Sequence, residues 1–172
     1  MDANNGTQTS SSQTSSSQSD EGKHTAFVYG TLMMPDVFHT VCYGTKDVPD
    51  AIKKLHSFKP AVLQGYQRLR VQYADYPGMI ENKDHKVVGK LVTGLTKANI
   101  SKLDYFEGGQ YERRAVTVNR TRERVNAKGE RKVEYVKVDT EAYVFLNKRD
   151  LETKEWDPEE FCRNKLKQWS HS

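Results

Sequence analysis

The chain has 172 residues, enough for one domain with a substantial core and short for two. Its hydrophobic content is 35%, its mean hydropathy -0.83 and its net charge +4, and no stretch approaches the length of a membrane-spanning helix, so a soluble intracellular protein is the default expectation. Two cysteines far apart in sequence, Cys42 and Cys162, with no CxxC pair, exclude a disulfide scaffold and a cysteine zinc site, and both read as buried small hydrophobes.

Residues 1–23, MDANNGTQTSSSQTSSSQSDEGK, hold almost nothing to bury. Nothing offsets their ordering entropy, so the composition predicts a disordered Ser/Gln/Thr-rich tail, with one domain over 24–172. The tail lacks the apolar and basic regions of a signal peptide, and arginine is absent before Arg68, so the expected location is cytoplasmic.

Residues 26–32, AFVYGTL, read as a short apolar strand that stops at Gly30. Pro35 opens a helix whose apolar face is Val37, Phe38, Val41 and Cys42, and Gly44 closes it. Residues 50–57 read as a second short helix with Ile52 and Leu55 inward, broken by Pro60. Ala61 to Gln72 is extended chain bent at Gly65. Tyr76-Pro77-Gly78 is a turn, Met79-Ile80 begins another strand, and 86–95 form the next with Val88 and Leu91 in the core.

Thr96 caps a helix over 97–107. Residues 111–125 and 132–146 are two strands joined around Ala127-Lys128-Gly129 as a hairpin. Asp157-Pro158-Glu159-Glu160 starts a last helix as a capping box, docked through Phe161, Leu166 and Trp169. The sum is about six strands and three or four helices in mixed order. That predicts an α+β fold, or a small mixed barrel with flanking helices, and not a regular βαβ sheet.

The basic excess sits in Arg113 to Lys137. Interspersed Glu123, Glu130 and Glu134, and the lack of interleaved aromatics, favour the solvated face of the hairpin over a nucleic-acid patch, so no nucleic-acid partner is expected. The five histidines show no ligand spacing, and GxSxG and HExxH are missing, so neither a metal enzyme nor a hydrolase triad is expected. His39 and His56 read as surface or partly packed residues.

Two stretches stand out. One is LDYFEGGQYER, residues 103–113: with the preceding Ile100, Leu103 and Glu107 fall at i, i+3 and i+7, on one helical face. An acid occupies the inward stripe in the last turn, where burial and the negative end of the helix dipole both disfavour its charged form. A carboxyl so tuned suits general acid–base chemistry. From spacing alone, the alternative is a Glu107 that points outward or pairs with Arg113 or Arg114. Asp104, beside the same face, reads as a solvated helix position. The second stretch is Phe27-Val28-Tyr29-Gly30-Thr31-Leu32, a strand end whose exposed N–H groups can hold a carboxylate or oxyanion; an ordinary strand-to-helix turn is the simpler reading.

Tyr29-Gly30-Thr31-Leu32 and Leu103-Asp104-Tyr105-Phe106-Glu107-Gly108 together resemble the γ-glutamylcyclotransferase superfamily. Within it the chain is similar to the plant and fungal avirulence-induced-gene-like branch, relatives of the γ-glutamylamine cyclotransferases. The likeness extends to Tyr76-Pro77-Gly78, Val88-Gly89-Lys90-Leu91 and Tyr111-Glu112-Arg113, and spans Phe27 to Trp169. It implies a small mixed β-barrel of about six strands enclosing a cavity, with Glu107 as the general acid–base. It implies that Phe27, Val28, Tyr29, Gly30, Thr31 and Leu32 cradle the substrate. Tyr111 and Tyr143 line the pocket on this reading, and are equally credible as plain core. The implied partner is a small γ-glutamyl compound, cyclised to 5-oxoproline without metal or cofactor. The alternative is a binding or regulatory module that keeps the cavity without turnover. The sequence carries no signal for oligomeric state.

Overall fold

The computed structural model describes residues 22–169, with side chains to Asn164. The strands are β1 (His24–Val28), β2 (Phe58–Val71), β3 (Pro77–Leu95), β4 (Tyr111–Val125), β5 (Arg131–Phe145) and β6 (Leu151–Glu155). The helices are α1 (Pro35–Tyr43), α2 (Asp50–Lys53), α3 (Lys97–Glu107) and α4 (Pro158–Trp169). Short 3-10 turns follow β1, α3 and β5. The expected tail over 1–23 falls almost wholly outside the described residues, as do the side chains of Leu166 and Trp169.

The fold is α+β, built on a mixed six-stranded sheet in the order β3-β1-β5-β4-β2-β6. β2 also pairs β3, so five strands close into a ring and β6 is left on the far end of β2. Every pairing is antiparallel except β1 with β5, through Phe27 and Ala142. Closure leaves those five strands without a long free edge.

Two cores flank the barrel wall. Phe27, Leu63, Met79, Val87, Leu91, Val118 and Val144 fill the interior, while Ala26, Val28, Val92 and Tyr143 face outward against Phe38 of α1 and Leu103 of α3. β1 is therefore buried on both faces, which is why AFV reads as a continuous apolar run and not an alternating one.

The sequence-derived boundaries of α3 and its Thr96 cap agree with the structure. Thr96 accepts from the Asn99 N–H at 3.0 Å, and Asn99 Oδ1 accepts from the Thr96 N–H at 3.0 Å. Gly44 ends α1 in the left-handed conformation, φ 79°. Gly65, at φ 83°, sits at the register shift that bends β2.

Other expectations need correction. Pro60 does not break the chain; it lies inside β2, exposed, where only β3 pairs and β4 has yet to join. Pro77 and Gly78 are already strand, and 79–80 and 86–95 are one strand of 19 residues. The polar run between them hid its continuity, because that part of the ribbon lies over solvent. Val87 is 1% exposed and Val88 55%. Val88 and Leu91 are three apart and cannot share one face of a regular strand. α2 is a single turn, and Leu55 is exposed while His56 turns inward. β6 was not expected, since LETKE offers one apolar residue. Cys42 is buried, but Cys162 only half-buried. Asp157 does cap α4, accepting from the Glu159 N–H at 2.9 Å, while Glu160 turns to Lys154 at 3.8 Å. Among the described residues no helix is long and apolar enough to cross a membrane.

Candidate active site

α3 carries Glu107 to the mouth of the barrel. Ile100 and Leu103 are buried on its inner face, Glu107 continues that stripe, and Gly108, at φ 74°, turns the chain away. Beside it lies a cavity of about 370 Å³. The end of β1 and the following loop, Phe27 to Leu32, form one wall; Tyr111 of β4 and Tyr143 of β5 form another. All nine residues singled out from the sequence thus border one hollow. Sequence reasoning missed Asp75, Phe106, Gln110 and Phe161 in its wall, and assigned Tyr76 and Pro77 to a turn only. Phe161 is brought from the last helix by tertiary folding, so no local pattern could have found it.

Burial pushes the Glu107 carboxyl up to about 7. Among the described residues it forms no ion pair. The two arginines that could have neutralised it are engaged elsewhere. Arg113 donates to Asp104 Oδ2 at 2.8 Å and to Glu141 Oε2 at 2.8 Å. Arg114 donates to Glu112 at 2.8 Å and lies 3.6 Å from Glu81. Asp104 is therefore not simply solvated: it also accepts the Tyr143 hydroxyl at 2.8 Å. Among the described residues lining the cavity there is no Lys, Arg or His.

Three tyrosines in the wall sense the charge of Glu107, and each has committed its proton to the protein. Tyr29 donates to the Tyr143 carbonyl, Tyr111 to the Pro77 carbonyl at 2.7 Å, and Tyr143 to Asp104. Burial first, then the nearby Glu107 charge, holds Tyr29 and Tyr111 well above the usual phenol range; Tyr143 is raised by burial and by its bond to Asp104. Each phenol stays neutral and has only lone pairs left to offer a further partner. With Glu107, the wall is rich in acceptors and suited to a group that brings N–H donors.

The loop after β1 supplies donors. Thr31–Met33 form a 3-10 turn, so the Thr31 and Leu32 N–H groups have no partner within it. Gly30 starts that turn, its carbonyl accepting the Met33 N–H at 3.0 Å. A side chain at position 30 would meet the Pro77 ring at 3.2 Å, so glycine lets the β3 end close on the loop. Arg68 fixes the same loop from behind, donating to the Tyr29 carbonyl at 2.8 Å and lying 5.4 Å over the Trp156 ring.

His39 and His56 are not surface residues: they are 4% and 7% exposed and stand apart from the cavity wall. His56 contacts the Tyr43 hydroxyl and the Thr93 carbonyl, whereas neither His39 ring nitrogen has a hydrogen-bond partner. Both pack on Phe38, which explains how two polar rings entered an apolar face.

Comparison with known proteins agrees with this architecture. The family model described as "Gamma-glutamyl cyclotransferase, AIG2-like" matches residues 26–162. Protein AIG2 C of Arabidopsis thaliana is 35% identical over 144 residues, covering 83% of this chain and 74% of that protein. AIG2-like protein B of the same plant is 32% identical over 145 residues, covering 84% and 72%. The solution structure of an Arabidopsis thaliana protein superposes with a TM-score of 0.56 at 28% identity, covering 86% of this chain and 78% of that one.

Proposed function

Since the chain belongs to the AIG2-like γ-glutamyl cyclotransferase family, we propose that it cyclises a γ-glutamyl amine or amino acid to 5-oxoproline, with Glu107 as general acid–base. The observation that carries this reading is a half-buried carboxyl, raised by its burial and without an ion pair among the described residues, beside a substrate-sized hollow.

A γ-glutamyl group carries its α-amine a few bonds from its own γ-carbonyl. The α-nitrogen attacks that carbonyl, a C–N bond closes the five-membered ring, and the C–N bond to the γ-substituent breaks. The reaction is intramolecular, so the main task is to hold the chain folded in attack geometry. The α-ammonium must first lose a proton. The α-nitrogen passes from three N–H bonds to one, so a second proton leaves it as the ring forms; Glu107 relays both protons in turn to the leaving nitrogen, which departs as an ammonium, so atoms and charge balance without a cofactor. Near neutrality a carboxyl at about 7 populates both forms, which this exchange requires. The acceptor-rich wall of Tyr29, Tyr111 and Tyr143 suits the ammonium. The Thr31 and Leu32 N–H groups suit the α-carboxylate or the developing oxyanion.

The test is a panel of γ-glutamyl amines and γ-glutamyl amino acids assayed for 5-oxoproline, with Glu107→Gln alongside. The expected loss in the variant is ~10²–10⁴-fold in rate. Turnover unchanged in Glu107→Gln would remove that residue from the chemistry. Tight binding without turnover across the panel would instead mark a ligand-binding module.

A further inference from the structure

Asp104 lies one turn before Glu107 on α3, yet it is outside the cavity wall. Two side chains converge on its carboxylate: the Tyr143 hydroxyl at Oδ1 and Arg113 Nη1 at Oδ2, each at 2.8 Å. Arg113 and Tyr143 are direct partners across the β4–β5 ladder, so one carboxylate holds both. Arg113 also shares a strand face with Tyr111, two residues earlier, and Tyr111 lines the cavity. A guanidinium thus stands on the cavity's side of β4, next to the turn of helix that bears Glu107.

An arginine there has an obvious alternative partner. A carboxylate in a partly desolvated pocket attracts a cation more strongly than one in water. Arg113 is occupied at Nε by Glu141, at 2.8 Å, and at Nη1 by Asp104. Without Asp104, Nη1 and Nη2 would have donors to spare.

We propose that Asp104 is a positioning residue that holds the Arg113 guanidinium off Glu107 and so keeps the Glu107 carboxyl without a counter-ion. The inference rests on Glu107 as the acid–base group, and it assigns to a second acid of the same helix the task of protecting it. The other ionisable groups facing Glu107 are Tyr29 from the end of β1, Tyr111 from β4, Tyr143 from β5, and Asp75 and Tyr76 from the turn between β2 and β3. None is a cation, so Arg113 is the group whose release would change the site. Its capture by Glu107 would favour the charged carboxylate and lower its titration midpoint.

The experiment follows the Glu107 carboxyl by NMR titration of the full chain labelled at glutamate, with Glu107→Gln assigning the signal. In Asp104→Asn the midpoint is expected to fall from about 7 by roughly one unit or more. Removing a negative charge would itself lower it, so the deciding variant is Asp104→Asn with Arg113→Leu. Return of the midpoint toward its starting value in that double variant supports the proposal; a midpoint equally low there, or unmoved in Asp104→Asn, overturns it. Glu141→Gln, which leaves the Asp104 contact in place, is expected to keep the midpoint near 7, and a fall as large as that in Asp104→Asn also overturns it. If Asp104→Asn fails to fold, Asp104→Ser carries the same measurement, alone and with Arg113→Leu. The readout needs no turnover, so loss of the cyclisation reading and loss of this one are told apart. Where the substrate panel does give turnover, the acid limb of the pH–rate profile is expected to move with the NMR midpoint.

Discussion

Glu107 is held in the folded protein at a cost that depends on pH. Well below its ordinary value of 4.5 the carboxyl is neutral in both the folded and the unfolded chain, and burial costs little. Between there and about 7 the unfolded chain releases the proton and the folded chain keeps it, so stability falls as pH rises. Glu107→Gln removes that term. The variant is expected to be more stable than the wild type by up to about 3 kcal/mol at pH 8 and equal to it near pH 4, as read by denaturant melts at both values. A stability gain joined to a loss of turnover is the pattern of a group retained for chemistry. The spacing from Ile100 and Leu103 made an inward Glu107 one of two open readings, and the structure bears out the inward one. That Arg113 is taken by Asp104 was not legible, because the contact depends on how β4 returns beneath α3.

α3 shows how local signals and packing divide the work. Its start was legible because the Thr96–Asn99 box is a contact between residues three apart, and its end because two glycines follow. Thr96→Ala is expected to cost about 1 kcal/mol in a denaturant melt, with Thr96→Ser near wild type. β3 shows the reverse. Adjacent valines differ completely in exposure, and nothing in VVGKLV says which faces the barrel. The choice follows from Gly89, whose missing side chain leaves room for the Val28 carbonyl; a Cβ there would lie 2.4 Å from it. Val87 must then share Gly89's inward side. Val87→Ala is expected to lower stability by about 1–3 kcal/mol and Val88→Ala by less than about 0.5 kcal/mol, a contrast that would reverse if the register slipped by one residue.

The whole molecule carries a second pH term of opposite sign. Burial holds His39 and His56 below the usual imidazole range of 6.5. As pH falls below about 6.5 the unfolded chain gains protons that the folded chain resists, so stability falls toward acid. Glu107 acts the other way across part of this window, so the effect is cleanest in Glu107→Gln. There the melt midpoint is expected to drop between pH 7.5 and 5.5, and His39→Leu is expected to make the drop smaller; a pH-flat midpoint would refute both burials as drivers. What the amino-acid order settled was everything written in contacts a few residues long: caps, glycine stops, hairpin turns, and the odd acid on an apolar helical stripe, enough for the α+β class and the candidate acid. Distant segments had to meet before the rest was defined. Ring closure of β2 on β3, the parallel contact of β1 with β5, the arrival of Phe161 at the cavity and the grip of Asp104 on Arg113 each join residues whose proximity no local periodicity encodes.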